Sequence, residues 1–227
     1  DVFGTSEAYI SKLMTNLEIP DGIRTAINAS YGMKVCRFYT SDSQLFERVD
    51  TLTDSLASAL GDKVVSKDGR TLSQIVAQLL KESELTVGTC ESCTGGLVGG
   101  MLTDLAGSSD YYTGSVVTYT NEMKEHIGVS HKTLLRHGAV SEQVALQMAS
   151  SVRSVLGVDT AVSVTGIAGP DGGTEEKPVG LVYVGYNGPD GAACERHVWG
   201  GDRQFNRKAS AYAALDPLRR RLQEAKT

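Results

Sequence analysis

Two runs, VDTAVSVTG (158–166) and GLVYVGYNG (180–188), are apolar along almost their whole length. A strand that alternates polar and apolar residues can leave one face in water, whereas a continuously apolar strand cannot. These runs predict strands buried on both faces of a sheet. Other segments supply the cover. In LSQIVAQLLKES (72–83), Leu72, Ile75, Val76, Leu79 and Leu80 recur at helical spacing. In SEQVALQMASSVRSVLG (141–157), Ser141 caps a helix and Gly157 stops it. Asp202 starts a long final helix, which Pro217 is expected to kink or interrupt. LTVGTCE (85–91), YYTGSVVTYT (111–120) and AACERHVWG (192–200) read as further strands, and NEMKEHIGV (121–129) starts a short helix. Helices alternating with apolar strands imply a layered α/β domain.

The chain divides near residue 66. Ahead of that point lies a small α/β unit. Residues 6–17 and 42–61 read as helices, the second with Asp42 or Ser43 as cap and Gly61 as stop. Residues 32–41 and 63–66 read as strands, and 18–31 receive no assignment. Two domains follow from this, 1–66 and 67–227.

Charge excludes one class of partner. The net charge is −5, and neither segment carries a basic excess, so general affinity for a nucleic-acid backbone is not expected. No apolar run reaches the ~18 residues of a membrane span, and no secretory signal is visible. Four cysteines (Cys36, Cys90, Cys93, Cys194) are too few for a disulfide scaffold at this length. The expectation is a cytoplasmic protein with reduced thiols. The chain opens on Asp1 rather than Met, and is expected to be processed or part of something longer.

The stretch TVGTCESCTGGLVGGMLTDLAGSS (86–109) passes from a strand into small residues and then a glycine-laden helix. It admits three readings. Cys90 and Cys93 form a Cys-x-x-Cys pair, but Glu91 between them opposes a lowered thiol pKa. Zinc would need two more ligands, and no second Cys pair or spaced His pair exists. A phosphate cradle lacks the Walker lysine, although the amides at this helix start, around Gly95 and Gly96, could bind an anion or oxyanion. In the third reading Ser92 is a nucleophile at a strand-to-helix turn, with helix N–H groups aimed at what it attacks. Each glycine in the helix costs ~1 kcal/mol relative to alanine, so a close neighbour is expected there.

A serine nucleophile needs a base. His126, His131, His137 and His197 lack a convincing motif, and His131 and His137 lie in a polar connecting segment. Lys124 is the stronger candidate. Asn121 would cap its helix, putting Lys124 in the first turn, where the helix dipole and burial both depress an amine pKa. Tyr119, at the preceding strand end, can converge with it across the corner. A second glycine-rich stretch, SVTGIAGPDGGTEEKPVGLV (163–182), joins two buried strands. Its amides, Thr165 and Lys177 could bind a phosphate or carbonyl oxygen. A plain flexible linker is the bland alternative, and the density of turn residues argues against it.

In order and spacing, ESCTGG, AGSS, TYTNEMK, HGAVSE, VTGIAGPDGG, KPVG and GDR resemble the CinA carboxy-terminal domain family over about residues 68–227. That family comprises nicotinamide-nucleotide amidohydrolases. The resemblance implies a three-layer α/β/α sandwich, hydrolysis of the carboxamide of nicotinamide mononucleotide to nicotinate mononucleotide and ammonia, no metal or organic cofactor, and a homodimer. It implies Ser92 as nucleophile and Lys124 with Tyr119 as proton carriers. Gly107 and Thr165 would be oxyanion-stabilising positions. Substrate contacts would come from Thr94, Gly95, Gly96, Ser108, Asn121, Gly166, Ala168, Gly169, Lys177 and Arg203, with Arg203 and the glycine-rich loop on the phosphate. Cys90 stands where the family commonly has a small residue. Residues 1–66 resemble, more loosely, the KH-like linker of full-length CinA proteins, without the Gly-x-x-Gly loop of a nucleic-acid-binding module. A rival from another class is a non-catalytic docking module linked to competence or DNA damage.

Overall fold

Strands β3 (Val87–Glu91), β4 (Tyr112–Val117), β5 (Thr160–Gly166), β6 (Leu181–Gly188) and β7 (Gly191–Val198) form one sheet in the order β4-β3-β5-β6-β7, in a computed structural model that describes residues 1–225. Residues 226 and 227, at the end of the second segment, lie outside the described residues. Strands β3, β4 and β5 are parallel, so their carboxyl ends share one edge, while β6 and β7 run antiparallel. Sheet alternation sends successive side chains to opposite faces. Cys90 packs with Val144, Met148 and Val152 of helix α7 (Glu142–Leu156). Thr89 and Glu91 point the other way, where Glu91 bonds amides of helix α4 (Leu97–Thr103). Helix α8 (Arg203–Glu224) packs on α4, β5 and β6. Both faces are therefore covered, giving the three-layer α/β/α sandwich that the apolar strands require.

Helix caps follow the sequence where a short polar side chain meets the right backbone. The Ser141 hydroxyl accepts from the Val144 amide, and the Asp202 carboxylate accepts from Phe205. Gly157 ends α7 in the left-handed conformation. Three expectations need correction. Helix α8 is not interrupted at Pro217, which is buried inside it; packing on both sides of the proline outweighs one lost hydrogen bond. Thr120, not Asn121, caps helix α5 (Asn121–His126), its hydroxyl accepting from Met123. Residues 131–137, read as connecting segment, form helix α6.

By its contacts the chain separates into two compact units, Asp1–Ile75 and the remainder from Val76, so the division falls within helix α3 (Leu72–Glu82). In the first unit, helices α1 (Glu7–Thr15) and α2 (Phe46–Leu60) bring Ile10, Met14, Leu56 and Leu60 into one cluster with Val2. Strand β1 (Arg24–Ser30) pairs antiparallel with β2 (Met33–Tyr39). β1 lies in the stretch left unassigned, because its turn is Tyr31-Gly32 with both residues at positive φ, outside the usual Asn-Gly or Asp-Gly signal. Residues 63–66 are not a strand; Val64 makes a single bridge to Val2.

The glycine-rich segment after β5 is tied down at both ends. Gly180 donates its amide to Ile167 and accepts from Trp199. It sits at φ +89°, and a Cβ there would run into the Trp199 backbone. Gly180→Ala should therefore lower Tm by about 5 °C or more, since strain at positive φ alone costs ~1–3 kcal/mol; thermal melts of the two proteins check this.

Candidate active site

Ser92 follows the last residue of β3, and its amide donates to the Val164 carbonyl of β5 at 2.9 Å. The chain then makes a tight turn in which the Gly95 amide donates to the Ser92 carbonyl at 3.1 Å. Gly95 and Gly96 both take positive φ, which lets the chain reverse into α4 without Cβ strain. Lys124, in α5, reaches this turn. Its Nζ lies 3.1 Å from Ser92 Oγ and donates to the Thr118 carbonyl at 2.7 Å. Ser92 is 8% exposed and Lys124 1%. Burial lowers the pKa of Lys124 from the ordinary 10.5, against an opposing pull from Cys90 and Cys93. A lysine drawn toward neutrality and touching a serine hydroxyl is the arrangement of an activated nucleophile and its base.

The helix amides do not face outward. Glu91, fully buried, accepts from Gly96 and Val98 through Oε2 at 2.9 and 3.1 Å, and from Gly99 through Oε1 at 2.8 Å. The expectation that these N–H groups, or Gly96 among them, contact an anion is thus overturned: an internal carboxylate already occupies them. Glu91 replaces the missing N-cap of α4, whose cap position is Gly96. Among the described residues, the amides of Cys93 and Thr94 have no main-chain acceptor, and the Thr94 hydroxyl is buried without a partner.

Other expected positions separate clearly. Gly107 and Ser108 precede β4, whose first residue lies beside Val87 at the start of β3. That places them at the opposite end of β3 from Ser92, roughly 15 Å away at strand rise. Gly107 lies instead beside the Lys81 amine and the Asp110 carboxylate, so neither residue serves Ser92 within this chain. The Thr165 hydroxyl donates to the Ala139 carbonyl at 2.8 Å, which commits its proton. Lys177 Nζ donates to the carbonyls of His137 and Val140 at 2.6 and 2.8 Å. Both residues clamp the 137–141 turn, Thr165 with its one proton and Lys177 with two of its three.

Tyr119 is 58% exposed, and its hydroxyl accepts from Arg203 Nη2 at 3.0 Å. Lys124 Nζ bonds Ser92 and Thr118, not this hydroxyl. Arg203 Nη1 donates to Gly169 at 2.8 Å, and Asn206 donates to Ala168 at 3.0 Å. Both bonds hold the loop that begins at Gly166. One helical turn further, Arg207 donates from Nε to Cys93 and from Nη2 to Thr94, at 3.0 and 2.7 Å, gripping the turn that follows Ser92. Sequence reasoning missed Arg207 and the role of Glu91. The only signals were a basic i,i+4 pair opening α8 and an acid preceding a helix with glycine at its cap.

The Cys-x-x-Cys thiols lack the lowered pKa of a redox pair. Burial pushes the Cys90 thiol up to about 11 and Cys93 up to about 12, and both are free thiols. Among the described residues no helix is long and apolar enough to cross a membrane.

The family model of the CinA C-terminal domain matches residues 69–222. A CinA-like protein of Salinibacter ruber is 45% identical over 176 residues, 77% of this chain and 43% of its own length. A putative competence-damage inducible protein of Acetivibrio thermocellus is 36% identical over 99% of this chain and 56% of its own. The chain spans about half the length of these curated relatives. Among solved structures, a competence/damage-inducible protein of Agrobacterium tumefaciens is 43% identical with a TM-score of 0.63, covering 65% of this chain and 91% of that one. One from Klebsiella pneumoniae is 33% identical with a TM-score of 0.65, covering 67% and 95%. With the domain model matching well over half its length, this chain belongs to the CinA C-terminal-domain family.

Proposed function

We propose that the chain hydrolyses the carboxamide of nicotinamide mononucleotide, yielding nicotinate mononucleotide and ammonia. The observation that carries amide hydrolysis is the buried Lys124–Ser92 contact at 3.1 Å. The choice of substrate comes from the family resemblance, supported by Arg203 and Arg207, whose acceptors are all uncharged. Neutral Lys124 gives one N–H to Thr118 and turns its lone pair to the Ser92 hydroxyl. Ser92 Oγ attacks the amide carbon while its proton passes to Lys124. The amides of Cys93 and Thr94 are the nearest candidates for the developing oxyanion. The ammonium of Lys124 then protonates the departing nitrogen, leaving an ester on Ser92. Water, deprotonated by the same amine, hydrolyses that ester.

The test is ammonia release from nicotinamide mononucleotide by the purified chain, titrated with a fluorophosphonate. Release should fall in step with a mass adduct mapped to Ser92. A protein that labels at Ser92 but frees no ammonia would sink the substrate assignment. Release that persists after complete labelling would sink the serine mechanism.

A further inference from the structure

A trans peptide unit is planar, and its C=O and N–H point opposite ways. Around the turn after Ser92, successive units are each tied by their carbonyl. The Ser92 carbonyl takes the Gly95 amide at 3.1 Å. The Cys93 and Thr94 carbonyls take Arg207 Nε and Nη2 at 3.0 and 2.7 Å. The Thr94 amide belongs to the same unit as the Cys93 carbonyl. The guanidinium that holds that carbonyl therefore also fixes this N–H, turned away from the guanidinium. Thr94 is fully buried, its amide has no main-chain acceptor among the described residues, and its hydroxyl has no partner. Buried donors are costly to leave unpaired, so two of them beside a nucleophile point to an acceptor that arrives with the reaction. Both acceptors of Arg207 are uncharged carbonyls, so its positive charge stays beside the turn. A charged donor on a carbonyl also polarises the whole peptide unit and strengthens its N–H as a donor.

We propose that Arg207 is a positioning residue for the reaction at Ser92: by gripping the Cys93 and Thr94 carbonyls it sets and polarises the Thr94 amide as the donor to the oxyanion. Arg207 acts through the turn and not on the reacting atoms. This inference rests on the serine-hydrolysis reading of the site, but not on which amide is cleaved. It differs from a phosphate-holding role in one respect. An arginine that only binds phosphate leaves the reaction of a phosphate-free amide untouched, whereas one that sets the oxyanion donor slows both alike.

Arg207→Lys tests it, since lysine keeps the charge but cannot hold two carbonyls in a fixed fork. On nicotinamide mononucleotide, kcat and kcat/KM should fall together by about 10- to 10²-fold, the pattern of an interaction made only in the transition state. On nicotinamide riboside, the same amide without the phosphate, kcat/KM should fall by the same factor. A loss carried by KM alone, or confined to the nucleotide, would assign Arg207 to the phosphate and overturn the proposal, as would unchanged turnover. A second measurement needs no substrate: the rate at which an uncharged fluorophosphonate labels Ser92, read by intact mass. Labelling should slow in the variant by a similar factor, and equal rates, zero included, overturn the proposal. Chemical rescue separates positioning from loss of fold. In Arg207→Ala, shown by its melt to be folded, millimolar guanidinium should restore labelling several-fold while ammonium at the same ionic strength should not. A folded variant that guanidinium fails to restore overturns the proposal. Slowed and rescued labelling in a chain whose parent frees no ammonia leaves Arg207 in its role and removes the substrate assignment alone.

Discussion

Lys124→Arg should leave a folded protein whose amide hydrolysis is slower by about 10²–10⁴-fold, the usual worth of a positioned base. Arginine keeps the positive charge but stays protonated at any working pH, so it cannot accept the Ser92 proton. Near-parental ammonia release from this variant would remove Lys124 from proton transfer. The pH profile carries a sign. In the proposed mechanism the free amine is the active form, so kcat/KM should fall as pH falls through the lowered pKa of Lys124. Stability runs the same way. The folded state binds this proton less tightly than the unfolded chain does. The resulting contribution is fully present above the unfolded value of 10.5 and is lost as pH falls through the folded one. Denaturant melts of the parent against Lys124→Met should show the parent gaining on the variant as pH rises from neutral toward 10. A constant difference across that range would contradict the lowered pKa.

Glu91→Gln should abolish most activity and cost about 3 kcal/mol of stability, or about 6–12 °C in Tm. The substitution keeps the shape of the side chain and replaces one acceptor oxygen by an N–H₂ group. The buried carboxylate accepts three amides, and the new donor would face at least one of them. The amides of Val98 and Gly99 lie in buried residues, where an amide left facing a donor is costly. The turn carrying Ser92 begins at the next residue, so losing the cap displaces the nucleophile as well. A variant that melts with the parent and keeps its turnover would show that Glu91 neither caps α4 nor positions Ser92. This effect is separable from that of Lys124, because Lys124→Arg is expected to strike catalysis without the same loss of fold.

Much of the second unit was legible in the residues. β5 and β6 are apolar along nearly their length, so both faces had to be covered, and α7 and α8 carry caps at Ser141 and Asp202 that local chemistry specifies. Lys124 was readable as a candidate base from its place just after a strand end, whereas its burial against Ser92 was decided by the fold. Elements without a local signal were missed. β1 depends on an uncommon turn, and α6 is short and polar enough to pass for a loop.

What the sequence by itself determined is the sheet-forming runs of the second unit and the helices capped at Ser141 and Asp202, because periodicity and capping act within a few residues. Tertiary structure alone decided which polar groups are free. Glu91 takes the helix amides, Thr165 spends its proton and Lys177 two of its three on the 137–141 turn, and parallel pairing of β4 with β3 carries Gly107 to the far end of the sheet. Hydrogen-bond donors are used up by whatever acceptor folding brings nearest, often from a distant part of the chain, and no local pattern of residues records that choice.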